Sequence, residues 1–427
     1  MPARVAPSSV YTAVSRLGYR GGTAATQPGG NAFRGVGGSV SILGHTVDIR
    51  SHIRKDPVLA VALVLAVASC AAVPPDAGYA GYVDLRTLGL LFSLMAVMAG
   101  LSGAGVFRVA CRRLLASVHG PRRLALSLVA LTFLSSMLIT NDVALVTFVP
   151  FALLALASVG SARFTCFTVV LMTVAANLGS MFTPVGNPQN LYLYSASHMG
   201  IAEFLALMAP YTAASLALLV AAVALLGRAM LDADGAADEG ESLGGIEEGP
   251  APTAVRVVPW LAVFALALAA VARVLPYQVA VVAAVAVGVA FDRGALARVD
   301  YGLLLTFVAF FVFVGNMGRI EAVDAFIART VEGHALAVSV VASQVLSNVP
   351  CAILLSGFTA DWPALIVGTN IGGLGTLIAS MASLISYKQL AVWLPCEKGR
   401  YLAMFTAANV AFLVVLAALA ALLGSVA

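Results

Sequence analysis

The sequence predicts an all-α, polytopic membrane protein built from two inverted repeats, each containing a re-entrant helical hairpin and a discontinuous transmembrane helix. Three observations predict this fold class. The chain is 61% hydrophobic and only 10% charged, whereas soluble domains carry about 25% charged residues. Its apolar runs approach or exceed the roughly 20 residues that a helix needs to cross a bilayer. Two polar interruptions of these runs recur, in the same order, in the second half of the chain.

The apolar runs are predicted to be helices because the lipid interior offers backbone groups no water, and the runs lack the period-two alternation of a membrane barrel. Repeat 1, residues 57–228, comprises helical runs 57–75, 86–107, 122–157, 164–198 and 204–227. Repeat 2, residues 256–427, comprises 257–273, 275–292, 301–318, 335–358, 364–390 and 402–424. Breaks near Asn141 and Asn348 predict hairpins, and breaks near Gly186 and Gly375 predict discontinuous crossings.

The interruptions are duplicated at constant spacings. TNDVALVTFVPF begins at Thr140 and has a counterpart, SNVPCAILLSGF, that begins at Ser347; we call the separation of Asn141 from Asn348 the tip spacing. ANLGSMFTPVGNPQNLYLY has the counterpart TNIGGLGTLIASMASLISY. The separation of Asn177 from Asn370 is called the break spacing. At this one separation the second pair of segments shares five identical residues: Asn177/Asn370, Gly179/Gly372, Thr183/Thr376, Leu191/Leu384 and Tyr194/Tyr387. Duplicated polar breaks in apolar sequence are typical of the midplane binding site of a secondary transporter.

The distribution of Lys and Arg predicts the orientation. With the N-terminus in the cytoplasm, only Arg86, Arg273, Arg319 and Arg329 fall outside, as the positive-inside rule requires. An odd number of crossings then separates the two repeats, so the hairpins enter from opposite sides, as alternating access needs. Residues 1–56 are expected to form a basic, disordered cytoplasmic tail. The acidic, Gly- and Pro-rich segment 229–255 is expected to form a flexible loop.

A helix that ends within the membrane leaves unpaired N–H groups at the start of its second half, and these carry partial positive charge. Such ends bind anions, while the unwound carbonyls suit Na⁺. Asn187 is a good N-cap and Pro188 suits the first turn that follows it, and at the hairpin tips Asn141 and Asn348 can cap the returning arms. Close helix packing is the alternative role for the small residues at the breaks. The candidate binding residues are Thr140, Asn141, Asp142, Asn177, Thr183, Gly186, Asn187, Pro188, Asn190, Ser347, Asn348, Asn370, Gly375, Thr376, Ser380 and Ser383.

Asp142 is the one carboxylate that the sequence places deep in the bilayer, where an unpaired charge costs about 2.5–3.5 kcal/mol. It is either a Na⁺ ligand or proton carrier, or a helix-start carboxylate stabilised by the helix dipole. Its repeat counterpart is Val349, so either role would be asymmetric. Transient Na⁺ binding is expected near Asn141, Asp142 and Asn348.

The sequence offers no motif for enzymatic chemistry. It has no GxxxxGK[ST] phosphate-binding loop and no CxxC pair, and its membrane core has no Ser/His, His-Glu or paired-Asp constellation at helical spacing. We therefore expect no enzyme activity, no cofactor beyond a coupling Na⁺ or H⁺, no resident metal and no nucleic-acid partner. The expected partners are a small anionic solute and the lipid bilayer.

The blocks TNDVALVTFVPF and NLGSMFTPVGNPQNLYLY resemble the signature regions of the ion-transporter superfamily. That group includes citrate-transporter-like carriers, divalent anion–sodium symporters, arsenite permeases and sodium–proton antiporters, and the chain is most similar to the bacterial anion-permease branch. The resemblance implies a homodimer whose substrate-carrying domains move as elevators. Dicarboxylate carriers of this group carry Ser-Asn-Thr at both tips. The third residue differs here, in Thr140-Asn141-Asp142 and Ser347-Asn348-Val349, which favours a resemblance to the arsenite permeases and the antiporters, where Asn-Asp is common.

Together these features predict a multi-pass secondary active transporter of the cell (inner or plasma) membrane. We expect it to move a small anion, of which a carboxylate is one candidate, coupled to Na⁺ or H⁺ by alternating access. One alternative is a Na⁺/H⁺ antiporter with Asp142 as the cycling carboxylate. The other is an efflux permease for arsenite or another oxyanion.

Overall fold

The computed structural model describes residues 39–42, 45–48, 57–116, 118–232 and 251–424. In this part of the chain the only strands are an antiparallel pair that the sequence analysis did not predict, β1 (Ser39–Ile42) and β2 (His45–Asp48). The remaining regular structure is helical. The predicted basic tail and acidic loop lie largely outside the described residues.

Several helices of the first half begin at a polar N-cap residue, whose side chain accepts from backbone N–H groups that the helix itself leaves unpaired. Asp84 accepts a hydrogen bond from the Thr87 N–H at 3.1 Å, and Ser161 accepts one from the Phe164 N–H at 3.0 Å. The helices of this half are α1 (Pro57–Ala72), α2 (Leu85–Gly103), α3 (Val106–Ala116), α4 (Pro121–Ser136), α5 (Asn141–Ala157), α6 (Ala162–Ser180), α7 (Pro188–Ser197) and α8 (Ile201–Asp232), with a 3-10 turn at Ala77–Gly81.

The second half uses the same kind of cap. Asp300 accepts from the Leu303 N–H at 2.9 Å, and Asp361 accepts from the Ala364 N–H at 3.1 Å. Its helices are α9 (Ala254–Val271), α10 (Tyr277–Phe291), α11 (Arg293–Ala297), α12 (Tyr301–Met317), α13 (Glu321–Val331), α14 (Ala335–Leu346), α15 (Asn348–Ser356), α16 (Trp362–Gly372), α17 (Met381–Trp393) and α18 (Lys398–Gly424), with a 3-10 turn at Pro395–Glu397.

The helices are broken at all four predicted places. α4 and α5 are separated before Asn141, and α14 and α15 before Asn348. α6 ends at Ser180, well before α7 begins, and α16 ends at Gly372, well before α17 begins. Each break therefore leaves a helix start and a helix end inside apolar sequence.

One predicted helix is wrong, and one observed helix was not predicted. The run 86–107 was expected to be one helix, but α2 ends at Gly103 and the separate amphipathic helix α3 follows it. The physical reason is the backbone of Gly105, which has a φ of 82° and therefore cannot continue a right-handed helix. Beyond the run 301–318, the sequence analysis also missed α13, which bends away from α12 by 104°.

Helix packing recurs in the two halves at the spacings found in the sequence. A Cβ on Gly179 of α6 would overlap the carbonyl oxygen of Phe133 in α4. Gly372 of α16 is the counterpart of Gly179 at the break spacing, and it lies against Val340 of α14. Val340 is in turn the counterpart of Phe133 at the tip spacing. The first arm of each hairpin therefore packs closely against the first half of the following broken helix.

The helices pack as two groups. The frame helices are α1, α2 and α9–α12, in which α12 packs on α1, and α9 and α10 pack on α2 and on each other. The central helices are α4–α8 and α14–α18, which contain both hairpins and both broken helices. The groups meet mainly where α2 contacts α7 and α12 contacts α15, while α3 leads from the frame into the first hairpin.

Five of the described helices are long and apolar enough to cross a membrane: α2, α6, α8, α9, and α18 together with the 3-10 turn before it. A sixth is added if α12 and the bent α13 are taken as one span. α1, α5, α10 and α14 are shorter apolar helices. The described part is thus a multi-pass helical membrane protein, and its orientation remains a prediction.

Candidate functional site

The two hairpin tips contact the two helix breaks in the same way. The Asn141 N–H donates to the Gly186 carbonyl at 3.2 Å, and the Asn348 N–H donates to the Ala379 carbonyl at 2.9 Å. In each tip the asparagine Oδ1 accepts from the N–H of the next residue, at 3.0 and 2.9 Å. Gly186 and Ala379 are separated by the break spacing, so these contacts follow the predicted repeat alignment.

The structure places the tip residues one position away from the predicted caps. Thr140 and Ser347 occupy the cap positions, without side-chain caps, while Asn141 and Asn348 are the first helical residues. Ser347 has a φ of 72°, which is left-handed, and its hydroxyl donates to the Ala379 carbonyl at 3.3 Å. Such backbone strain costs about 1–3 kcal/mol and collects at functional sites.

In the first break, two asparagines satisfy the exposed backbone groups. Asn187 caps α7, since its Oδ1 accepts from the Asn190 N–H at 2.9 Å, and Pro188 occupies the first turn as predicted. The Asn190 amide nitrogen donates to the carbonyls of Met181 and Thr183 at 3.1 and 3.3 Å. These carbonyls lie just beyond the end of α6, where no helical N–H reaches them.

In the second break, Gln344 of α14 has the role that Asn190 has in the first. Its Nε2 donates to the carbonyls of Gly372 and Leu374, each at 2.9 Å, and its Oε1 accepts from the Thr376 N–H at 2.9 Å. Gly375 has a φ of 103°, and a Cβ there would overlap the Gln344 Oε1. Gln344 is a site residue that the sequence analysis missed.

A signal for Gln344 was present in the repeat spacing. The Thr183 hydroxyl donates to the Met137 carbonyl, and the Thr376 hydroxyl donates to the Gln344 carbonyl at 3.0 Å. Gln344 is the counterpart of Met137 at the tip spacing. Extending the repeat alignment from the tips into the first arm of each hairpin would have identified this position.

Buried side chains join the two broken helices by exchanged hydrogen bonds. Asn187 Nδ2 donates to Asn370 Oδ1 at 3.2 Å. Ser380, the counterpart of Asn187, donates through its hydroxyl to Oδ1 of Asn177, the counterpart of Asn370, at 3.0 Å. Asn177 Oδ1 also accepts from Asn141 Nδ2 at 3.1 Å. The first hairpin tip is thereby tied to both broken helices.

A second exchange lies beside the first. Asn370 Nδ2 donates to Asn190 Oδ1 at 2.6 Å, and Asn177 Nδ2 donates to the Ser383 hydroxyl at 3.4 Å. In a two-fold symmetric contact, residue i of one copy contacts residue j of the other, and residue j of the first contacts residue i of the second. The exchanged bonds between the two repeats follow this pattern. All four residues are buried. We call this set of exchanged bonds the crossing network.

A cavity of about 360 Å³ opens beside the network, between the first hairpin tip, the start of α7, α2 and the start of α12. Of the predicted binding residues, Thr140, Asp142, Asn187 and Pro188 line it. The other predicted residues lie in the crossing network or around the breaks, and the second hairpin tip does not reach the cavity wall. The structure therefore brings the predicted set together in two layers, with the cavity in front and the network behind.

The cavity is more charged than the sequence analysis indicated. Asp300 and Arg298 line it together with Asp142, so Asp142 is not the one charged residue of the wall. The Arg298 guanidinium is already paired with the Asp292 carboxylate at 3.2 Å and donates to the Ala99 carbonyl at 3.0 Å. The wall thus carries two carboxylates and one guanidinium whose charge is largely compensated.

The frame also contains a duplicated pattern of aspartates. Asp76 and Asp292 cap the short helices before α2 and α12, and each pairs with an arginine: Asp76 with Arg319 at 2.7 Å, and Asp292 with Arg298. The hydrogen bond from Arg319 lowers the pKa of Asp76 from its ordinary value of 3.8. Asp300 follows Asp84 at the same separation as Asp292 follows Asp76, a signal that would have drawn attention to Asp300.

Within the described residues, no group of three or more His, Cys, Asp or Glu side chains is arranged to hold a metal ion.

The chain is similar to several known transport proteins. The citrate transporter family profile matches residues 51–361 of the chain. The inner membrane protein YbiR of Escherichia coli K12 is 30% identical over 314 residues, 72% of this chain and 80% of that protein. An uncharacterized transporter of Methanocaldococcus jannaschii is 28% identical over 321 residues, 72% of this chain and 81% of that protein. The silicon efflux transporter LSI3 of Oryza sativa subsp. japonica is 40% identical over 130 residues, 30% of this chain and 26% of that protein.

Proposed function

Because the chain belongs to the citrate transporter family, we propose that it is a secondary active transporter that moves a small anion, coupled to Na⁺ or H⁺, by alternating access. The family and the named relatives make it a multi-pass membrane transporter. The class of solute, the coupling ion and the alternating-access movement go beyond the family and are our proposal. The single observation that carries it is the cavity at which two helices begin inside the apolar part of the protein.

The starts of α5 and α7 both reach the cavity, through Thr140, Asp142, Asn187 and Pro188. A helix start carries about half a positive charge, which favours an anion even without a Lys or Arg. The Thr140 hydroxyl and the Asn187 amide add neutral polar groups to the wall. The cavity is also large enough, since pockets for small ligands usually measure roughly 300 to 1000 Å³.

The carboxylates of the wall explain why an anion would need a cation. An anion within about 4 Å of an ionised carboxylate is repelled by about 4 kcal/mol at an effective dielectric constant of about 20. Arg298 offsets little of this repulsion because Asp292 already pairs with it. A proton or Na⁺ on Asp142 or Asp300 removes the repulsion from that carboxylate. Binding of the anion and binding of the cation thereby favour each other, which is thermodynamic coupling.

The same two carboxylates favour one alternative, a Na⁺/H⁺ antiporter in which no anion binds. Asp142 would then carry Na⁺ and H⁺ in turn, with Asp300 facing the same space. A Na⁺ gradient would in that case drive a pH change in vesicles that contain no organic anion. A strict requirement for the anion would exclude this alternative.

The family name makes citrate the first solute to test, in proteoliposomes with imposed Na⁺ or pH gradients. Other carboxylates follow, and arsenite and silicic acid belong in the same screen because one relative is named for silicon efflux. We expect uptake of one of these solutes to require a cation gradient. Absence of transport for every solute under every gradient would contradict the proposal, and a Na⁺-driven pH change in the same vesicles would then favour the antiporter.

Asp142→Asn tests the coupling step. We expect the variant to weaken the dependence of uptake on Na⁺ or pH, because a neutral amide does not repel the anion and binds a cation less strongly than a carboxylate does, while Asp300 remains. Asp324→Asn, which changes a carboxylate of α13 outside the cavity, is the matched control and is expected to keep the wild-type dependence. Unchanged dependence in Asp142→Asn would remove Asp142 from the coupling mechanism.

We also propose that the protein lies in the cell membrane with its N-terminus in the cytoplasm and forms a homodimer. The relative from Escherichia coli is named an inner membrane protein, which supports the location. The excess of Lys and Arg on one side supports the orientation. Crosslinking in native membranes tests the dimer.

A further inference from the structure

Arg273 is one of the few cations that the positive-inside pattern leaves on the outside, and the structure shows what it contacts. It lies between the frame helices α9 and α10 and has a left-handed φ of 62°. Its guanidinium donates to the His198 carbonyl at 2.9 Å and to the Tyr194 carbonyl at 3.1 Å. It also lies over the Tyr194 ring, 5.1 Å from the ring centre.

We propose that Arg273 is a positioning residue that tethers the C-terminal end of α7 to the frame in the state with the cavity open, and that the tether opens when the central helices move. The proposal rests on the transport function proposed above. To that function it adds Arg273, a residue outside the cavity wall that stabilises one conformational state of the transporter.

The contacts of Arg273 suit this role because of where they fall on α7. The last carbonyls of a helix have no partner within the helix, and a cation there also complements the helix dipole. His198 is the C-cap of α7 and has a φ of 57°. α7 has only 10 residues, about 15 Å of length. Holding its C-terminal end therefore fixes its start, where Asn187 and Pro188 line the cavity.

Arg273 also differs in kind from the neighbouring contacts between the frame and the central helices. Tyr192 of α7 meets the frame through ring contacts with Phe307 and Phe311, at 6.2 and 5.4 Å between centres. Apolar contacts are non-directional and tolerate sliding, whereas a charged, two-armed hydrogen bond fixes one geometry. The tether therefore favours one position of α7 more than the rings do.

The repeat provides two positions that report the state. Val146 of the first hairpin lines the cavity and is 53% exposed, whereas Ile353, its counterpart at the tip spacing in the second hairpin, is fully buried. If the cavity closed and the corresponding space at the second hairpin opened, position 146 would become buried and position 353 would become exposed. Local loosening would instead raise the exposure of both.

The test measures the labelling rate of Val146→Cys and, separately, Ile353→Cys with a hydrophilic maleimide on the purified protein. Both are made in a background in which the accessible Cys70 and Cys396 are replaced by Ser. We expect Arg273→Gln to slow labelling at position 146 and to speed it at position 353, each about ten-fold, which is about 1.4 kcal/mol. The control is Arg319→Gln, which breaks an arginine pair that lies within the frame and is expected to change neither rate.

Arg273→Lys keeps the charge but reaches one carbonyl, so we expect a smaller shift in the same directions. If Arg273→Gln does not fold, by gel filtration, this variant carries the test. Unchanged rates at both positions, or a rise at both, would overturn the proposal. Because labelling needs no transported solute, this result is independent of the uptake screen, and each proposal can fail without the other.

Discussion

Gly186→Ala is the sharpest test of the first helix break. The hydrogen bond from the Asn141 N–H to the Gly186 carbonyl holds the hairpin tip against the break. A Cβ on Gly186 would overlap the Ser180 carbonyl oxygen and lie 2.7 Å from its carbonyl carbon. Those atoms belong to the backbone at the end of α6, so no side-chain rotation relieves the overlap.

The magnitude follows from two effects. Forcing one extra carbon into a packed site costs about 1–3 kcal/mol. The shift of the break also lengthens or breaks the hydrogen bond from Asn141, which contributes about 0.5–1.5 kcal/mol. We therefore expect a total loss of roughly 2–4 kcal/mol. The second break accommodates a methyl group at the equivalent place, since Ala379 occupies it.

Thermal unfolding of the purified protein in detergent measures this loss, with Gly200→Ala as the matched control. No atom lies within 4 Å of a Cβ built on Gly200, so that change is expected to stay within about 0.5 kcal/mol. We expect Gly186→Ala to melt several degrees lower than the control and to transport more slowly. Equal melting temperatures for the two variants would refute the reasoning, because the break would then be loose enough to admit a side chain.

Three further predictions address other parts of the molecule. Asn370→Ala is expected to lower stability by about 2–3 kcal/mol, because buried amide partners in the crossing network are left unpaired; a melting temperature equal to wild type would contradict this. Gln344→Leu is expected to speed hydrogen exchange in residues 373–380, because it releases the carbonyls and the N–H that Gln344 holds, and unchanged exchange there would exclude that role. Asp76→Asn is expected to lower stability at neutral pH. The pKa of Asp76 is lowered in the folded state, so the ionised carboxylate stabilises the folded protein at pH values above its ordinary pKa of 3.8. The difference from wild type is expected to vanish as the pH falls through the lowered pKa, and a gap that persists in acid would contradict the ion-pair explanation.

The four helix breaks could be predicted from sequence because their chemistry is local. Asn187 and Pro188 carry the signature of a helix start within a few residues, whatever lies around them. The left-handed φ at Gly375 likewise suits the one residue type that occupies it at no cost. A polar, Gly- or Pro-containing stretch in apolar sequence needs no tertiary information to be recognised.

The residues that were missed act across distance. Gln344 looks like one polar residue in an apolar helix, and its role depends on α16 ending beside it. Asp300 looks like an ordinary helix cap, which it also is, and only the packing of α12 near the first hairpin brings it to the cavity wall. The separation of α3 from α2 was missed because apolar composition continues through Gly105, and composition does not report the backbone angle there.

The crossing network consists entirely of amides and hydroxyls, and this choice of groups has a consequence for how the protein responds to its surroundings. None of its members gains or loses a proton in the physiological range, so its hydrogen bonds hold equally well in acid, alkali and changing salt. The carboxylates, Asp142 and Asp300, stand on the cavity wall instead. In the proposed mechanism, an ion gradient therefore alters the occupancy of that wall while the joint between the two halves keeps the same strength.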